Sequence, residues 1–410
     1  MMARLEEICA INMGQSPDSS TYNEDGNGLP FFQGNADFGE IYPAVRMWCS
    51  EPTKIAREKD ILISVRAPIG ALNIANCECC IGRGLAALTV NEDICAQEYL
   101  WHALSGKVDE LNSKGTGSTF KAINKKTLSE TEIPLPPIDE QRKIAAILDK
   151  VSDLIAKRQQ QLDKLDEAVK ARFVEIFGEP DENPKHWQED ELSHHLKVIG
   201  GYAFKSDGFT DEGIPVLRIG NINSGHFLPV NMVYWPDDLA LARYKVFPGD
   251  LVMSLTGTVG KDDYGNVCIL GADYDEYYLN QRNAKLSIEI SLNKCYFSEL
   301  LKFPRIKKRL TGISRGIRQA NISNKDILTL RVPMPPIELQ EQFAAFVEQT
   351  EKTKIIISHS LEKLEPLKSK RTIITRAEQS YGRVPFAGLC RLFISVYVPG
   401  AGLPGARASA

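Results

Sequence analysis

The sequence lacks long apolar runs. No stretch approaches the ~20 consecutive apolar residues that a membrane helix needs, and the opening MMARLEEICAINMG has neither the apolar core nor the cleavage site of a signal peptide. Nine cysteines are scattered through 410 residues without a framework spacing, which favours reduced thiols over disulfides. These absences argue against a membrane-spanning or disulfide-stapled protein, and we expect a cytoplasmic one.

Catalytic and cofactor motifs are also missing. The segment GTVGK (257–261) looks like a phosphate loop, but it lacks the four-residue spacer between glycines and the Ser or Thr after Lys261. NCECC (76–80) brings three thiols together without a second Cys or His pair at zinc-finger spacing. No catalytic carboxylate pair, nucleophile elbow or Gly-rich dinucleotide turn is present. We therefore predict a binding protein that is not an enzyme and has neither metal nor cofactor.

The chain has no overall excess of positive charge. Its 49 Lys and Arg against 53 Asp and Glu give a net charge of −4, whereas DNA-binding domains are usually basic. Only a local basic surface could therefore bind nucleic acid. The composition, with 43% hydrophobic and 25% charged residues, is that of a globular protein. Its length allows two to four domains of about 100–200 residues each.

What the sequence does contain is an internal repeat. PLPPIDEQ (134–141) returns as PMPPIELQ (333–340), and the whole of 117–148 aligns with 316–347 without a gap. Upstream, EKDILISVRAPIG (58–70) matches PGDLVMSLTGTVG (248–260), and LPFFQGNADFG (29–39) faces IPVLRIGNINSG (214–225). The period is that of a whole domain, so the chain contains a duplicated domain and not a solenoid of short repeats.

Each half ends in a Pro-Pro turn followed by a long helical pattern. The first helix would run about 58 Å from Asp139 to Phe177, more than a compact domain needs, which indicates a spacer. The 4-3 spacing of its apolar positions is typical of a coiled coil, although an ordinary amphipathic core helix is the simpler alternative. Pro366 predicts a kink or an end in the second helix. The positions expected at the helix-pair interface are Ile144, Leu148, Val151, Ile155, Leu162, Leu165, Val169, Phe343, Val347, Ile357, Leu361 and Leu364.

Basic residues gather just before each Pro-Pro turn. The second-half segment 302–325 contains eight Lys and Arg and no acidic residue, and the first-half segment 114–126 contains four lysines around glycines and hydroxyls. Such segments could neutralise phosphates on a chain of negative net charge; the alternative is a solvated basic helix end. The candidate DNA-contact residues here are Lys114, Ser118, Thr119, Lys121, Arg305, Lys307, Lys308, Arg315, Arg318 and Gln319.

Base recognition requires Asn, Gln, Arg or Lys at loops or helix ends. Equivalent loops of the two halves offer Gln33 and Asn35 in the first and Arg218, Asn221 and Asn223 in the second. Simple turn geometry is the alternative explanation for any one of these asparagines. Two further candidates, Arg66 and Lys261, follow the equivalent buried strands. A duplicated scaffold with different loops is expected to recognise two different DNA sequences.

Several segments of the sequence resemble those of a known protein family. The matching segments are GQSPDSSTYN (14–23), LPFFQGNADFG (29–39), DILISVRAPIG (60–70), IPLPPIDEQRKIAAILDK (133–150) leading into FGEP (177–180), IPVLRIGNI (214–222), GDLVMSLTGTVG (249–260) and VPMPPIELQ (332–340). Together they make the chain similar to the specificity (S) subunit of type I restriction–modification systems. The resemblance covers roughly residues 3–375 in the expected order.

The resemblance implies an α/β (α+β) fold with two duplicated target recognition domains. Two long antiparallel coiled-coil helices would join them with pseudo-twofold symmetry. Each domain would read one half of a bipartite, asymmetric site in double-stranded DNA. An S subunit is not itself catalytic; it positions two methyltransferase (M) subunits, which hold S-adenosylmethionine, and the restriction (R) subunits of the larger complex.

The repeat and the resemblance set the expected domain boundaries, and the last segment departs from the family pattern. They are 1–137 for the first recognition domain, 138–178 for the first long helix, 179–336 for the second recognition domain, 337–376 for the second long helix, and 377–410 for an atypical tail expected to be disordered and dispensable for DNA binding. The alternative function is a coiled-coil adaptor that joins two protein-binding domains. A steep loss of duplex-DNA binding with salt would argue against the adaptor.

Overall fold

The structure, a computed structural model, describes residues 2–117, 121–261, 263–312 and 319–368. They fold into two compact units of mixed helix and strand, as the predicted fold class requires. One unit contains residues 2–159 and the second long helix from Ser358 onward; the other contains Gln160–Ile357. Because the division falls inside both long helices, each unit comprises one sheet-rich domain and a part of each helix.

The first domain is built on apolar strands that are covered on both faces. In the predicted strand DILISV, Ile61 and Ile63 enter one core cluster and Leu62 enters another, because successive side chains of a strand point to opposite faces. The antiparallel sheet has the order β2-β10-β7-β8, the mixed sheet β3-β5-β4-β9-β6, and β1 pairs with β11. The strands are β1 (Met2–Arg4), β2 (Cys9–Met13), β3 (Tyr22–Asn23), β4 (Leu29–Phe32), β5 (Trp48–Cys49), β6 (Ile55–Ala56), β7 (Ile61–Ser64), β8 (Leu72–Ile74), β9 (Cys79–Ile81), β10 (Leu85–Val90) and β11 (Glu132–Pro134).

The second domain repeats this topology, with one strand fewer in the mixed sheet and one additional pair of strands. Its sheets have the orders β13-β21-β17-β19 and β15-β14-β20-β16, while β12 pairs with β23 and β18 with β22. Strands β14 and β20 are parallel, as are β4 and β9 in the first domain. The duplication seen in the sequence is therefore a duplication of fold. The strands are β12 (Glu189–Glu191), β13 (Leu196–Gly200), β14 (Ile214–Leu217), β15 (Val233–Trp235), β16 (Lys245–Val246), β17 (Leu251–Ser254), β18 (Thr256–Thr258), β19 (Val267–Ile269), β20 (Tyr277–Leu279), β21 (Asn283–Ile288), β22 (Gln319–Asn321) and β23 (Arg331–Pro333).

Short helices in both domains begin at recognisable caps. The Asn124 side chain accepts from the Thr127 amide at the start of α4, and Ser323 caps α8 in the same way. Pro304 occupies the first turn of α7, where its missing N–H costs nothing. The short helices are α1 (Leu5–Ile8), α2 (Gln97–Ser105), α3 (Val108–Ser113), α4 (Lys125–Ser129), α6 (Lys294–Leu300), α7 (Pro304–Thr311) and α8 (Asn324–Leu328).

The long helices are α5 (Ile138–Phe177) and α9 (Ile337–Lys368). Within the second unit they pack antiparallel, since Phe173 contacts Phe343 at 5.4 Å between ring centroids and Asp166 binds Lys354 at 2.6 Å. Helix α9 continues through Pro366, so the proline does not end it. The predicted extension to residue 376 and the tail 377–410 lie outside the described residues. No helix in the described part of the chain is long and apolar enough to cross a membrane.

The predicted seam extends into the domain cores. Ile144 and Leu148 belong to the core of the first domain, and Val169, Phe343 and Val347 belong to that of the second. The helix ends therefore act partly as core helices, the alternative that the heptad pattern left open. Of the other predicted seam positions, Val151, Ile357 and Leu364 are buried, whereas Ile155, Leu162, Leu165 and Leu361 are half-buried.

Candidate nucleic-acid interface

In the first domain, the parallel strands β4 and β9 end at one edge, where Phe32 pairs with Ile81. The loops that follow present Gln33 and Arg83, both exposed. The carboxyl ends of two paired parallel strands lie at the same edge of a sheet, so the side chains that follow them lie close together. This edge of the sheet is therefore a candidate binding surface.

Glycines bring the two loops into close contact. A Cβ at Gly82 would lie 2.9 Å from the Cα of Gln33, and one at Gly84 would lie 2.5 Å from the Gln33 carbonyl oxygen. Only glycine permits this approach, so Arg83 is the one side chain of the Gly-Arg-Gly turn. The Gly84 amide donates to the Gln33 carbonyl at 3.2 Å, which fixes the loops against each other.

The backbone continues from this edge to the next candidate residues. The Val65 amide donates to the Gly84 carbonyl, and the Ile123 amide donates to the Val65 carbonyl, both at 2.9 Å. Arg66 forms a bridge with Ala122, next to Lys121. The structure thus brings the predicted residues Gln33, Arg66 and Lys121 into one row with Arg83. We call these four exposed residues the first strip.

The second domain contains the equivalent row. Leu217 pairs with Leu279 at the ends of β14 and β20, and the next residues present Arg218, Gln281 and Arg282, all exposed. The Leu255 amide donates to the Arg282 carbonyl, and the Ile322 amide donates to the Leu255 carbonyl, both at 2.8 Å. Thr258 pairs with Gln319, and the Lys261 amide donates to Thr258 at 3.0 Å. The second strip comprises Arg218, Lys261, Gln281, Arg282 and Gln319.

Arg218 lines a hollow of about 600 Å³. Its guanidinium donates to the Asn231 carbonyl, which orients the side chain before any ligand arrives. Asn231, Gln281 and Arg282 line the same hollow together with Phe204. The arrangement offers cations, amides and an aromatic ring on one concave surface, which are the groups that bind phosphates and base edges.

The predicted asparagines have different surroundings. Asn221 is 2% exposed, and its amide nitrogen donates to the Leu228 and Val230 carbonyls at 3.0 Å each. Asn221 therefore supports the Arg218 loop from inside. Its buried side chain has little access to a ligand, in contrast to the predicted DNA contact. Asn35 and Asn223 are half-buried in their loops, so they keep partial access.

Helix α7 provides the basic surface predicted in the second half. Its apolar residues are buried, and Arg305 and Lys308 are exposed. Lys307 is half-buried, and its ammonium donates to Asn266 Oδ1 at 2.8 Å. Arg305 and Lys308 are therefore the more accessible cations for a phosphate.

The corresponding helix of the first domain, α3, is acidic. Lys107 and Lys114 both bind the Glu110 carboxylate, at 2.8 and 2.7 Å. Burial tends to raise the pKa of Glu110, but the hydrogen bonds from the two lysines outweigh burial and lower it. Lys114, a predicted phosphate contact, is thus already paired with a carboxylate. The two basic segments of the sequence are therefore not equivalent surfaces.

Some predicted contacts are not described. Ser118, Thr119, Arg315 and Arg318 lie outside the described residues, and for Gln319 the structure describes the backbone alone. Sequence reasoning missed Arg83, Gln281 and Arg282. The signal for Arg83 was present in the segment IGRGL (81–85), where two glycines flank a single arginine.

The thiols of NCECC do not form a metal site. No group of three His, Cys, Asp or Glu within the described residues could hold a metal ion. Cys79 and Cys80 are buried, and burial raises the pKa of the Cys79 thiol to about 12. A buried thiol that stays protonated is a poor ligand and a poor nucleophile. These cysteines are core residues.

Comparison with known proteins places the whole fold in context. The sequence model of a protein family, described as "Type I restriction modification DNA specificity domain", matches residues 1–167 and 184–366 of this chain. MjaX, a candidate type I restriction enzyme specificity subunit from Methanocaldococcus jannaschii, is 44% identical over 165 residues, which are 40% of this chain and 39% of that protein. The MjaVIII specificity subunit of the same organism is 27% identical over 291 residues, 66% of this chain and 67% of that protein.

A solved structure shares the fold. The crystal structure of a type I restriction–modification S subunit from M. genitalium matches with a TM-score of 0.55 and 15% sequence identity. The match covers 90% of this chain and 93% of that one. The likeness therefore includes both sheet-rich domains and the long helices, while at this identity it concerns fold alone.

Proposed function

Since the chain belongs to the type I restriction–modification DNA specificity family, we propose that it is the DNA sequence-specificity subunit of a restriction–modification complex. Its two domains read the two halves of a bipartite, asymmetric site in double-stranded DNA. The coiled-coil adaptor is not retained, because the proteins this chain resembles are specificity subunits and none of those matches points to an adaptor.

One observation supports this proposal above the others. The two strips have the same backbone framework but different exposed side chains, for example Gln33 in the first domain and Arg218 in the second. A shared framework lets both domains approach DNA in the same way. Different side chains at equivalent positions would then select different bases, so the recognised site would be asymmetric.

The chain's role in the complex is recognition, and we propose that chemistry belongs to its partners. Two methyltransferase subunits would bind S-adenosylmethionine and modify the DNA, and restriction subunits would join the larger complex. This chain would contribute no cofactor. The exposed cations of α7 and of the strips, such as Arg305, would hold the phosphate backbone while the loops read bases.

The decisive experiment is co-expression of this chain with the methyltransferase subunit of its own system, followed by mapping of methylated adenines in the host DNA. We expect a split motif with two specified words and an unspecified gap, present only when this chain is expressed. A complex that assembles but leaves the DNA unmodified, and whose binding to duplex DNA does not weaken steeply with salt, would contradict the proposal.

A further inference from the structure

Arg83 and Gln281 occupy the same position in the two domains. In the first, the Gly14 amide donates to the Leu85 carbonyl at 2.9 Å, and in the second the Gly201 amide donates to Asn283 at 3.1 Å. One residue further along each chain segment, the Gln15 backbone amide donates to the Ile81 carbonyl at 3.0 Å, and the Tyr202 backbone amide donates to the Leu279 carbonyl at 2.8 Å. Arg83 stands two residues after Ile81, and Gln281 two residues after Leu279, so the two residues occupy equivalent positions in matching hydrogen-bond frames.

The backbone at this position is fixed, whereas the side chain is available. The Arg83 amide donates to Ser16 Oγ at 3.3 Å, and the Gln281 amide donates to the Tyr202 carbonyl at 2.8 Å. Both side chains are exposed, and within the described residues neither has a hydrogen-bond or ion-pair partner. A ligand-reading side chain needs this combination, because a rigid base limits the entropy lost when the side chain is ordered.

The two residue types differ in the chemistry that reads DNA. Arginine makes a bidentate contact with O6 and N7 of guanine, and glutamine makes one with N6 and N7 of adenine. Gln281 is neutral, so it cannot neutralise a phosphate charge as a cation would. Arg282, the adjacent exposed cation, has Gly84 as its counterpart in the first domain. The position therefore fits base reading better than backbone binding.

We infer that Arg83 and Gln281 are specificity-determining residues, with Arg83 selecting a guanine in the half-site of the first domain and Gln281 an adenine in that of the second. This inference rests on the proposed function. It concerns base identity at one position of each half-site, and it leaves the other contacts of the strips unchanged.

The test exchanges the two chemistries in the assembled complex. Arg83→Gln and Gln281→Arg are each co-expressed with the methyltransferase subunit, and methylated motifs are mapped. We expect Arg83→Gln to relax one guanine of one half-site or convert it to adenine, and Gln281→Arg to alter one adenine of the other half-site. Matched controls are Arg57→Gln and Gln188→Arg, both at exposed positions outside the strips, and they should leave the motif unchanged.

Binding of the purified complex separates base reading from phosphate binding. Arg83→Gln should weaken binding to the cognate duplex by about 5- to 150-fold, the range for one bidentate base contact, and leave non-cognate binding unchanged. Arg83→Lys keeps the charge but loses the planar guanidinium, so it should weaken cognate binding and leave non-cognate binding unchanged. If Arg83→Gln instead weakens cognate and non-cognate binding equally, Arg83 binds phosphate and the inference is overturned.

The wild-type chain separates a failure of the proposed function from a failure of this inference. If it produces no split motif in an assembled complex, and the binding of that complex to duplex DNA does not weaken steeply with salt, the proposed function itself fails. If the wild-type motif appears and both exchange variants reproduce it, the function stands and only this inference is rejected. Size-exclusion chromatography of each complex shows whether a variant still assembles, and Arg83→Lys is the conservative substitute should Arg83→Gln not assemble.

Discussion

At the residue scale, Asn221 and Arg83 show how exposure separates two roles in one type of loop. The Asn221 side chain uses its oxygen to accept from the Arg218 amide at 2.9 Å and its nitrogen to donate to two carbonyls of the same loop. A buried amide with these bonds holds a loop in shape. Arg83 has its backbone held and its guanidinium exposed. Residues of the first kind support recognition, and residues of the second kind perform it.

Asn221→Ala should loosen the Arg218 loop without removing an exposed side chain. The change removes three side-chain hydrogen bonds that hold this loop, those with the Arg218 amide and with the Leu228 and Val230 carbonyls. We expect a loss of about 1–3 kcal/mol in the free energy of unfolding. Hydrogen exchange should show faster exchange in residues 218–231. Asn223→Ala is the control: Asn223 is half-buried and makes no side-chain hydrogen bond among the described residues, so its loss should be within about 0.5 kcal/mol. Equal exchange in both variants would contradict the supporting role.

At the element scale, the repeated Pro-Pro-helix junction is explained by one glutamine in each domain. Gln141 is fully buried. Its side-chain oxygen accepts from the Ala96 backbone amide at 2.8 Å, and its side-chain nitrogen donates to the Pro136 carbonyl at 2.7 Å. Gln340 makes the equivalent bonds to the Asn293 amide and to Pro335, each at 2.8 Å. Each glutamine thereby joins the start of a long helix to the start of a short helix in its domain.

Gln340→Ala should destabilise the second domain. It leaves the Asn293 amide and the Pro335 carbonyl unpaired inside the protein, for an expected loss of about 1–3 kcal/mol. Urea unfolding followed by tryptophan fluorescence measures the loss. Gln342→Ala, at an exposed position of the same helix, should change stability by less than about 0.5 kcal/mol. Similar midpoints for the two variants would show that the junction does not depend on this amide.

The sequence predicted these elements unevenly, for physical reasons. The buried strands and the long helices were predictable because hydrophobic periodicity is local. The identity of Gln141 and Gln340 was visible in the repeat, but their role depends on partners about 45 residues away in sequence. Arg83 and Gln281 were missed because their neighbours, glycines in one domain and Asn280 and Arg282 in the other, share no residue type on which to align.

At the scale of the whole molecule, helix α5 is the covalent connection between the two recognition domains. Helix α5 leads from one domain to the other, and the compact units divide inside it after Gln159. A helix that contributes to a domain core at each end transmits changes in its length to both domains. The gap between the two DNA half-sites should therefore depend on helix length, and the sequences of the half-sites should depend on the two strips.

Lengthening both helices tests this separation of roles. Four residues inserted after Gln160 in α5, with four after Ile357 in α9 to keep the helices matched, add about 6 Å, close to one turn. We expect the mapped motif to keep both half-site sequences and to change its gap by about two base pairs, at ~3.4 Å per base pair. Four residues inserted into the exposed loop 24–28 should leave the gap unchanged. Altered half-site sequences in the helix variant would mean that the helices also shape the reading surfaces, because a pure spacer can change only the distance between them.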